Sequence, residues 1–200
     1  MSSINGVYQP ITYQFNGTPE PALVPGYAVV DINDAGMITG WFKNGSVEQG
    51  FVADANGVAL IPNLNPSINC RPVRISQVGA NGAAWVAGNC AGNRPFIYSA
   101  GSSAPIELTY PGSSNLSVVS VNSSGVAAGT AVKPGAAAPD GYTAILWPAG
   151  SVTPINLNAN QAFAPVTAWN VHSTDINEAG TVLTGYNDTS GNFYTFLLHF

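Results

Sequence analysis

One pattern recurs four times along the chain and limits what it can fold into. Ala28-Val-Val-Asp-Ile-Asn-Asp-Ala-Gly36-Met-Ile-Thr-Gly40-Trp-Phe is matched near the end by Thr174-Asp-Ile-Asn-Glu-Ala-Gly180-Thr-Val-Leu-Thr-Gly185-Tyr. Between them lie Val118-Val-Ser-Val-Asn-Ser-Ser-Gly125-Val-Ala-Ala-Gly129 and the more diverged Ile75-Ser-Gln-Val-Gly-Ala-Asn-Gly82-Ala-Ala-Trp-Val-Ala-Gly88. Each copy is an apolar run, a polar turn closing on glycine, then a second apolar run. That is a β-hairpin, strands A and B, with glycine where the turn needs positive φ. Gly36, Gly82, Gly125 and Gly180 are 46, 43 and 55 residues apart, the spacing of a repeat architecture.

A second hairpin, strands C and D, follows each of the first three. Gly50–Asp54 and Val58–Leu64 flank Asn56-Gly57; Pro95–Ser99 is followed by Pro105–Leu108, and Tyr142–Trp147 by Pro154–Leu157. The fourth unit has a C strand, Phe193–Leu198, and no D strand. At the other end of the chain, Ile11–Phe15, Asn16-Gly17 and Pro21–Val24 read as another C–D hairpin. Pro21, Pro62, Pro105 and Pro154 all fall in D. Proline has no N–H to give a ladder, so D is the outer, edge strand. A and B then sit inside, which suits Ala83, Ala84, Ala87, Ala127 and Ala128.

Four-stranded units of this length with an outer edge strand describe the blades of a β-propeller. The expected fold is all-β: a small propeller of four blades, or alternatively five, whose ring is closed by N-terminal strand(s) joining the C-terminal blade. The whole of 1–200 is one domain, with a closing hairpin (1–25) and repeats at 26–66, 67–115, 116–160 and 161–200, the last lacking its outer strand.

Composition narrows the function. The chain has 5 Lys plus Arg against 10 Asp plus Glu, a net charge of −5, and only 8% charged residues. Five scattered cations cannot neutralise a phosphate track, so nucleic acid is not an expected partner. No run of eighteen apolar residues exists, which excludes membrane insertion by a helix. The start, Met1-Ser2-Ser3-Ile4-Asn5-Gly6, lacks a basic and an apolar leader region, so either no signal is used or Met1 replaces a removed one. Low charge with many Thr, Asn and Gly favours a secreted or periplasmic protein.

Asp31-Ile-Asn-Asp-Ala-Gly36-Met-Ile-Thr-Gly40, followed by Gly50-Phe51-Val52, resembles the HAF repeat family of bacterial extracellular proteins. Asp175-Ile-Asn-Glu-Ala-Gly180 with Phe196-Leu197 is similar to it too; the third unit matches loosely and the second poorly. That family's signature ends in His-Ala-Phe, whereas Gln49-Gly50-Phe51 and Tyr194-Thr195-Phe196 stand in its place here. The resemblance implies a secreted or surface-exposed repeat protein and no particular reaction.

Cys70 and Cys90 are the only cysteines. They lie equidistant from residue 80, where the second unit's A–B turn is centred, and equidistant residues of an antiparallel hairpin face each other. A disulfide is expected, and with it an oxidising compartment. A bulge of one residue would spoil that facing. Two cysteines without further ligands at zinc spacing do not make a metal site.

The hairpin layout puts A–B and C–D turns at one end of each blade and B–C and D–A connections at the other. The latter set reads as longer and more varied, with B–C members Lys43–Glu48, Cys90–Arg94, Thr130–Gly141 and Asn187–Asn192. Varied loops on a repeated scaffold are where binding residues sit. Trp41 and Tyr186 follow the second glycine of their hairpins and become neighbours on ring closure; Asn44, Arg94, Tyr142, Trp169 and Asp188 join them as candidate ligand-binding residues, with Arg71 and Tyr110 nearby. Aromatic faces among Asn, Asp and Arg suit a neutral polar ligand, a polysaccharide or glycan. The plainer reading makes Trp41 and Tyr186 packing residues between blades, and Trp85 and Trp147 are read as packing.

No catalytic residue is assigned. Asp31, Asp34, Asp175 and Glu178 fall at the A–B turns, where Asp and Asn bond their own backbone. Asp-x-Asn-x-x-Gly lacks the downstream bidentate Glu of a calcium loop. His172 and Asp175 are three apart on a strand and point to opposite sides unless a bulge intervenes. No cofactor is implied. The expected function is a non-catalytic, lectin-like binding module. A glycoside-type hydrolase using carboxylates from different blades, and a structural or self-associating repeat, are the alternatives. Oligomeric state is not legible.

Overall fold

The computed structural model describes residues 2–4, 7–9, 11–13, 19–21, 27–113, 115–132, 141–157, 170–187 and 190–199. Four short strands come first: β1 (Ser2–Ile4), β2 (Val7–Gln9), β3 (Ile11–Tyr13) and β4 (Pro19–Pro21), paired β1–β2 and β3–β4. Sheet I is β5 (Tyr27–Ile32), β6 (Ile38–Asn44), β7 (Val47–Asp54) and β8 (Gly57–Leu60). Sheet II is β9 (Cys70–Ile75), β10 (Trp85–Cys90), β11 (Arg94–Ser99) and β12 (Ile106–Glu107). Sheet III is β13 (Leu116–Val121), β14 (Ala127–Val132), β15 (Tyr142–Trp147) and β16 (Ile155–Asn156). Sheet IV has three strands, β17 (Asn170–Ile176), β18 (Thr181–Asn187) and β19 (Phe193–His199). Each of the four is an antiparallel meander in chain order, and none closes on itself.

The first turn of sheets I, III and IV rests on one asparagine. Asn33 Oδ1 accepts from the N–H groups of Ala35 and Met37, and Asn122 Oδ1 from those of Ser124 and Val126. Asn177 Oδ1 accepts from Thr181 N–H. The closing glycines, Gly36, Gly125 and Gly180, take φ of 76°, 80° and 81°. Local amide capping of this kind is why Asn is favoured in turns. The carboxylates do something else. Asp31 accepts from Ile75 N–H in sheet II, and Glu178 accepts from Gln77 N–H (3.1 Å) in sheet II and Ser123 N–H (2.7 Å) in sheet III. For Asp31 and Glu178 the expectation that the acids serve their own turns is corrected, since they tie one sheet to another; Asp175 does accept from the neighbouring Ile176 N–H. Burial pushes the Glu178 carboxyl up, but the Ser123 and Gln77 donors outweigh it and leave it below the ordinary glutamate value.

Every first hairpin also carries a bulge in its first strand, at Val30, Val73, Val119 and His172. A bulge bends and twists its strand. In sheet II it has a further effect. The register at Val86–Ile75 and Ala87–Arg74, carried on unbroken, would put Cys90 opposite Arg71; the extra residue Val73 moves Cys70 opposite Cys90 instead. The bulge expected to spoil the disulfide is what brings Cys70 and Cys90 together, and they are bonded.

Three seams join the four sheets, and in each the first strand of the later sheet lies on the earlier one. Val52 and Ile61 of sheet I pack with Cys70, Ile75, Val86 and Phe96 of sheet II. Ala87, Ile97 and Leu108 meet Leu116, Val118 and Trp147 of sheet III. Ala128, Leu146 and Leu157 meet Ile176, Val182 and Leu198 of sheet IV. Ile61, Leu108 and Leu157, each just past its outer strand, are 1% exposed. Trp147 is fully buried, as its strand position implied, and donates from Nε1 to Thr109 O. Gly40, Gly88 and Gly129 lie under Phe51, Phe96 and Trp147; a Cβ on Gly40 would stand 2.9 Å from the Phe51 ring. Glycine is required there by that close approach.

Arg74 of sheet II stands near carboxylates of two other sheets. It lies 3.9 Å from Asp31 of sheet I and 3.7 Å from Asp175 of sheet IV.

Candidate ligand face

The first two B–C connections are not long loops. Gly45 and Ser46 alone join β6 to β7, with Gly45 at φ 65°, and Ala91–Asn93 join β10 to β11. Asn44-Gly45 is itself a hairpin signal, so Lys43–Glu48 was legible as two strand ends around a tight turn. The Thr130–Gly141 and Asn187–Asn192 connections fall largely outside the described residues.

The tight turn places Glu48 beside the first strand of sheet II. Arg71 from β9 donates from Nε to Glu48 Oε2 (2.6 Å) and from Nη2 to Glu48 Oε1 (2.5 Å). Its guanidinium also sits 4.2 Å from the centre of the Trp41 ring. A bidentate ion pair and a cation–π contact thus share one arginine, fixing the plane of the indole. Amides surround this group. Asn69 Oδ1 accepts from Glu48 N–H, Asn63 Nδ2 donates to Glu48 O and Ile68 O, and Asn44 Nδ2 donates to Gln49 Oε1 (2.7 Å). The Arg71 hydrogen bonds hold the Glu48 carboxyl below its ordinary value against the opposing effect of burial, and Glu48 raises Arg71 in turn.

Arg94 forms a second bidentate pair, donating from Nε (2.6 Å) and Nη2 (2.7 Å) to Glu107 across the outer edge of sheet II. Glu107 is likewise lowered by Arg94. Tyr142 belongs to a third group: its hydroxyl accepts from Asn115 Nδ2 at 2.9 Å. Near Asn115 in sequence, the Tyr110 hydroxyl accepts from Asn156 Nδ2 (3.3 Å), whose Oδ1 accepts from Thr143 Oγ1 (2.8 Å).

Of the sequence candidates, the structure therefore brings Trp41 and Arg71 into contact, with Asn44 on the same turn, and sets Arg94 and Tyr142 in groups of their own. Tyr186 is on β18, opposite Val171 and Tyr194, but its side chain lies outside the described residues. Trp169 and Asp188 lie outside them altogether. Sequence reading missed Glu48, Glu107 and Asn115. Glu48 pairs across sheets and leaves no spacing signal within one unit, and Glu107 and Asn115 meet partners 13 and 27 residues away with no motif to mark them.

The opposite end holds Asp31, Asp34, Asp175 and Glu178 and the A–B turns. His172 occupies the bulge of β17, and Asp175 accepts from Ile176 N–H and faces Arg74. A cavity of about 170 Å³ opens between sheets I and II, lined by Met37, Val52, Asp54, Ala59 and Tyr98 among others. It is smaller than the few hundred Å³ usual for a ligand pocket. Among the described residues no three His, Cys, Asp or Glu side chains are grouped to hold a metal ion, and no helix is long and apolar enough to cross a membrane.

No protein-family model matches the chain, and no curated protein matches it.

Proposed function

We propose that this chain is an extracellular, non-catalytic binding module of the HAF-repeat type, and that it binds a neutral polysaccharide or glycan on the end where B–C and D–A connections meet. Its sheets are successive wedges of a small propeller, four or five, completed by the N-terminal strands. The observation that carries the binding reading is the Trp41–Arg71–Glu48 group. It is an aromatic plane fixed in orientation, ringed by Asn and Gln amides, on a chain with few charges. Aromatic planes stack on the C–H faces of sugars while fixed donors meet their hydroxyls. The Tyr110 and Tyr142 hydroxyls add hydrogen-bonding groups on the same end. The disulfide supports an oxidising compartment. The hydrolase reading is less well supported, since it needs a protonated acid, and Glu48 and Glu107 are held ionised by their arginines.

The test is a glycan array with a cell-wall pulldown, repeated with Trp41→Ala and with Tyr142→Phe, each checked for an unchanged circular dichroism spectrum. Loss of about 10-fold in affinity for Trp41→Ala and a few-fold for Tyr142→Phe is expected, from one stacked ring and one hydrogen bond. Blank arrays and pulldowns with the native chain at high concentration overturn the reading.

A further inference from the structure

Sheet IV carries an unmade copy of the seam that joins the other three. Val52, Ile97 and Leu146 face the next sheet from the third strand and are 5%, 1% and 3% exposed. The matching side chain of β19, Leu197, is 64% exposed, while its neighbour Leu198 is buried against sheet III. The turn asparagines repeat this contrast. Asn33 Nδ2 donates to Ser76 O of sheet II and Asn122 Nδ2 to Asn177 O of sheet IV, and both residues are buried; Asn177 is exposed. The receiving side shows the complement. Ile75, Val121 and Ile176, each near the end of a first strand, are 5%, 3% and 7% exposed, whereas Ile32 of sheet I is 60% exposed.

The two open faces belong to sheets that Arg74 already holds together through Asp31 and Asp175. A segment of this chain is the occupant nearest to hand. The N-terminal strands have the right connection, since they lead directly into sheet I and β2 lies against β5. They also have the right polarity. In β4, Pro19 and Pro21 leave Glu20 as the sole N–H donor, so β4 makes an outer strand and β3, its partner, the inner one. β19 offers the reverse, a seven-residue edge without proline, lysine or acid.

We propose that the N-terminal strands β1–β4 seat on the outer face of sheet IV as a fifth wedge, covering Leu183, Phe193 and Leu197. The proposal rests on the ring reading above and names what completes the ring: a separate wedge on the face, rather than a single strand added at the edge. A tethered segment is favoured over a second copy because its effective concentration is in the millimolar range.

The experiment uses the full chain with Leu197→Cys, whose thiol is then the only free one, and Ser103→Cys as an exposed control. Maleimide labelling of Cys at 197 is expected to be about 10-fold slower than at 103, reporting the free energy of local opening. Adding Ile11→Asp and Tyr13→Asp to the first variant should restore fast labelling at any protein concentration. Equal rates at 197 and 103 in the otherwise native chain overturn the proposal. So does protection that survives the N-terminal substitutions, or that falls on dilution as a second copy would require. A separate chain carrying Ala35→Cys and Ala179→Cys, on the exposed turns that Gln77 joins, bridged by a short bis-maleimide, reports the ring itself. Bridging with an unprotected 197 refutes the wedge alone; no bridging refutes the ring.

Discussion

Sheet III and sheet IV are built from equally apolar strands and end up in opposite states. In β15 every side chain from Thr143 to Trp147 is buried; in β19 only Leu198 is. Tyr142-Thr-Ala-Ile-Leu-Trp147 and Phe193-Tyr-Thr-Phe-Leu-Leu198 would be scored alike by any pattern of apolar residues. The difference lies in neighbours. Sheet III has sheet II on one face and sheet IV on the other, while sheet IV has sheet III alone among the described seams. Burial in a stack of sheets is thus a property of position in the series, and the cost of a substitution should follow position more closely than residue type.

The largest effect should come from Trp147→Ala. It empties a site that is fully closed and strands the Thr109 carbonyl, so a loss of about 3–5 kcal/mol in urea unfolding is expected. Phe193→Ala sharpens the contrast. The ring is 59% exposed, and with β1–β4 seated over it as proposed its loss should approach that of Trp147→Ala. A cost within about 0.5 kcal/mol, the value for an exposed side chain, would show that sheet IV is uncovered in solution.

Next comes the disulfide. Replacing Cys70 and Cys90 together by serine should cost roughly 3 kcal/mol on the chain-entropy account of a 20-residue separation. Both sulfurs are buried in the seam between sheets I and II, so the loss should appear as a lower urea midpoint of the whole chain.

A smaller, sharper pair is Gly88→Ala against Gly185→Ala. A Cβ at 88 presses into the Phe96 ring and the Arg71 carbonyl, and Phe96 is locked in the core. Overpacking of this kind costs about 1–3 kcal/mol. At 185 the obstacle is Phe193. With β1–β4 seated over that ring, Gly185→Ala should lose about as much as Gly88→Ala in thermal melts; a clearly smaller loss would show the ring free to swing into solvent and the face uncovered.

How much of this was legible beforehand follows from what a single unit encodes. The four meanders, the outer position of the short fourth strands and the turn glycines were readable because each depends on residues a few positions apart, although Pro62, Pro105 and Pro154 stand just outside β8, β12 and β16 and not within them. The cysteine pairing was reached through a register argument whose missing step, the bulge at Val73, has no sequence mark of its own. Glu178 bonding to Gln77 and Ser123 was not legible, because 101 and 55 residues separate the partners and no local pattern favours them. Lys43–Glu48 was misread for a different reason: length was weighed above the Asn44-Gly45 turn signal, which places Glu48 on a strand, though not its pairing with Arg71 of another sheet.

The smallest effects belong to the two arginine–glutamate pairs, and they compare the seam with the sheet edge once more. Glu48 and Glu107 both titrate below the ordinary glutamate value of 4.5 in the folded chain because an arginine donates two hydrogen bonds to each. A group lowered on folding adds stability that is complete above its unfolded pKa and is lost as pH falls through its folded one. The melting temperature should therefore hold from neutrality down to about 4.5 as far as these pairs are concerned, and decline below that. Glu48→Gln and Glu107→Gln should each flatten the acid decline at a cost of about 0–1 kcal/mol at neutral pH, the range for partly exposed pairs. The Glu48 side chain is 13% exposed and that of Glu107 36%, so the Glu107 variant should lose its effect first as salt is raised, the Debye length shrinking to about 3 Å at 1 M. Melts at two ionic strengths and at pH values on either side of the transition decide this. An effect of Glu48→Gln that salt erases as easily as that of Glu107→Gln would mean that Trp41 and the amides around it do not shield the pair, and would weaken the case for that group as a preformed site.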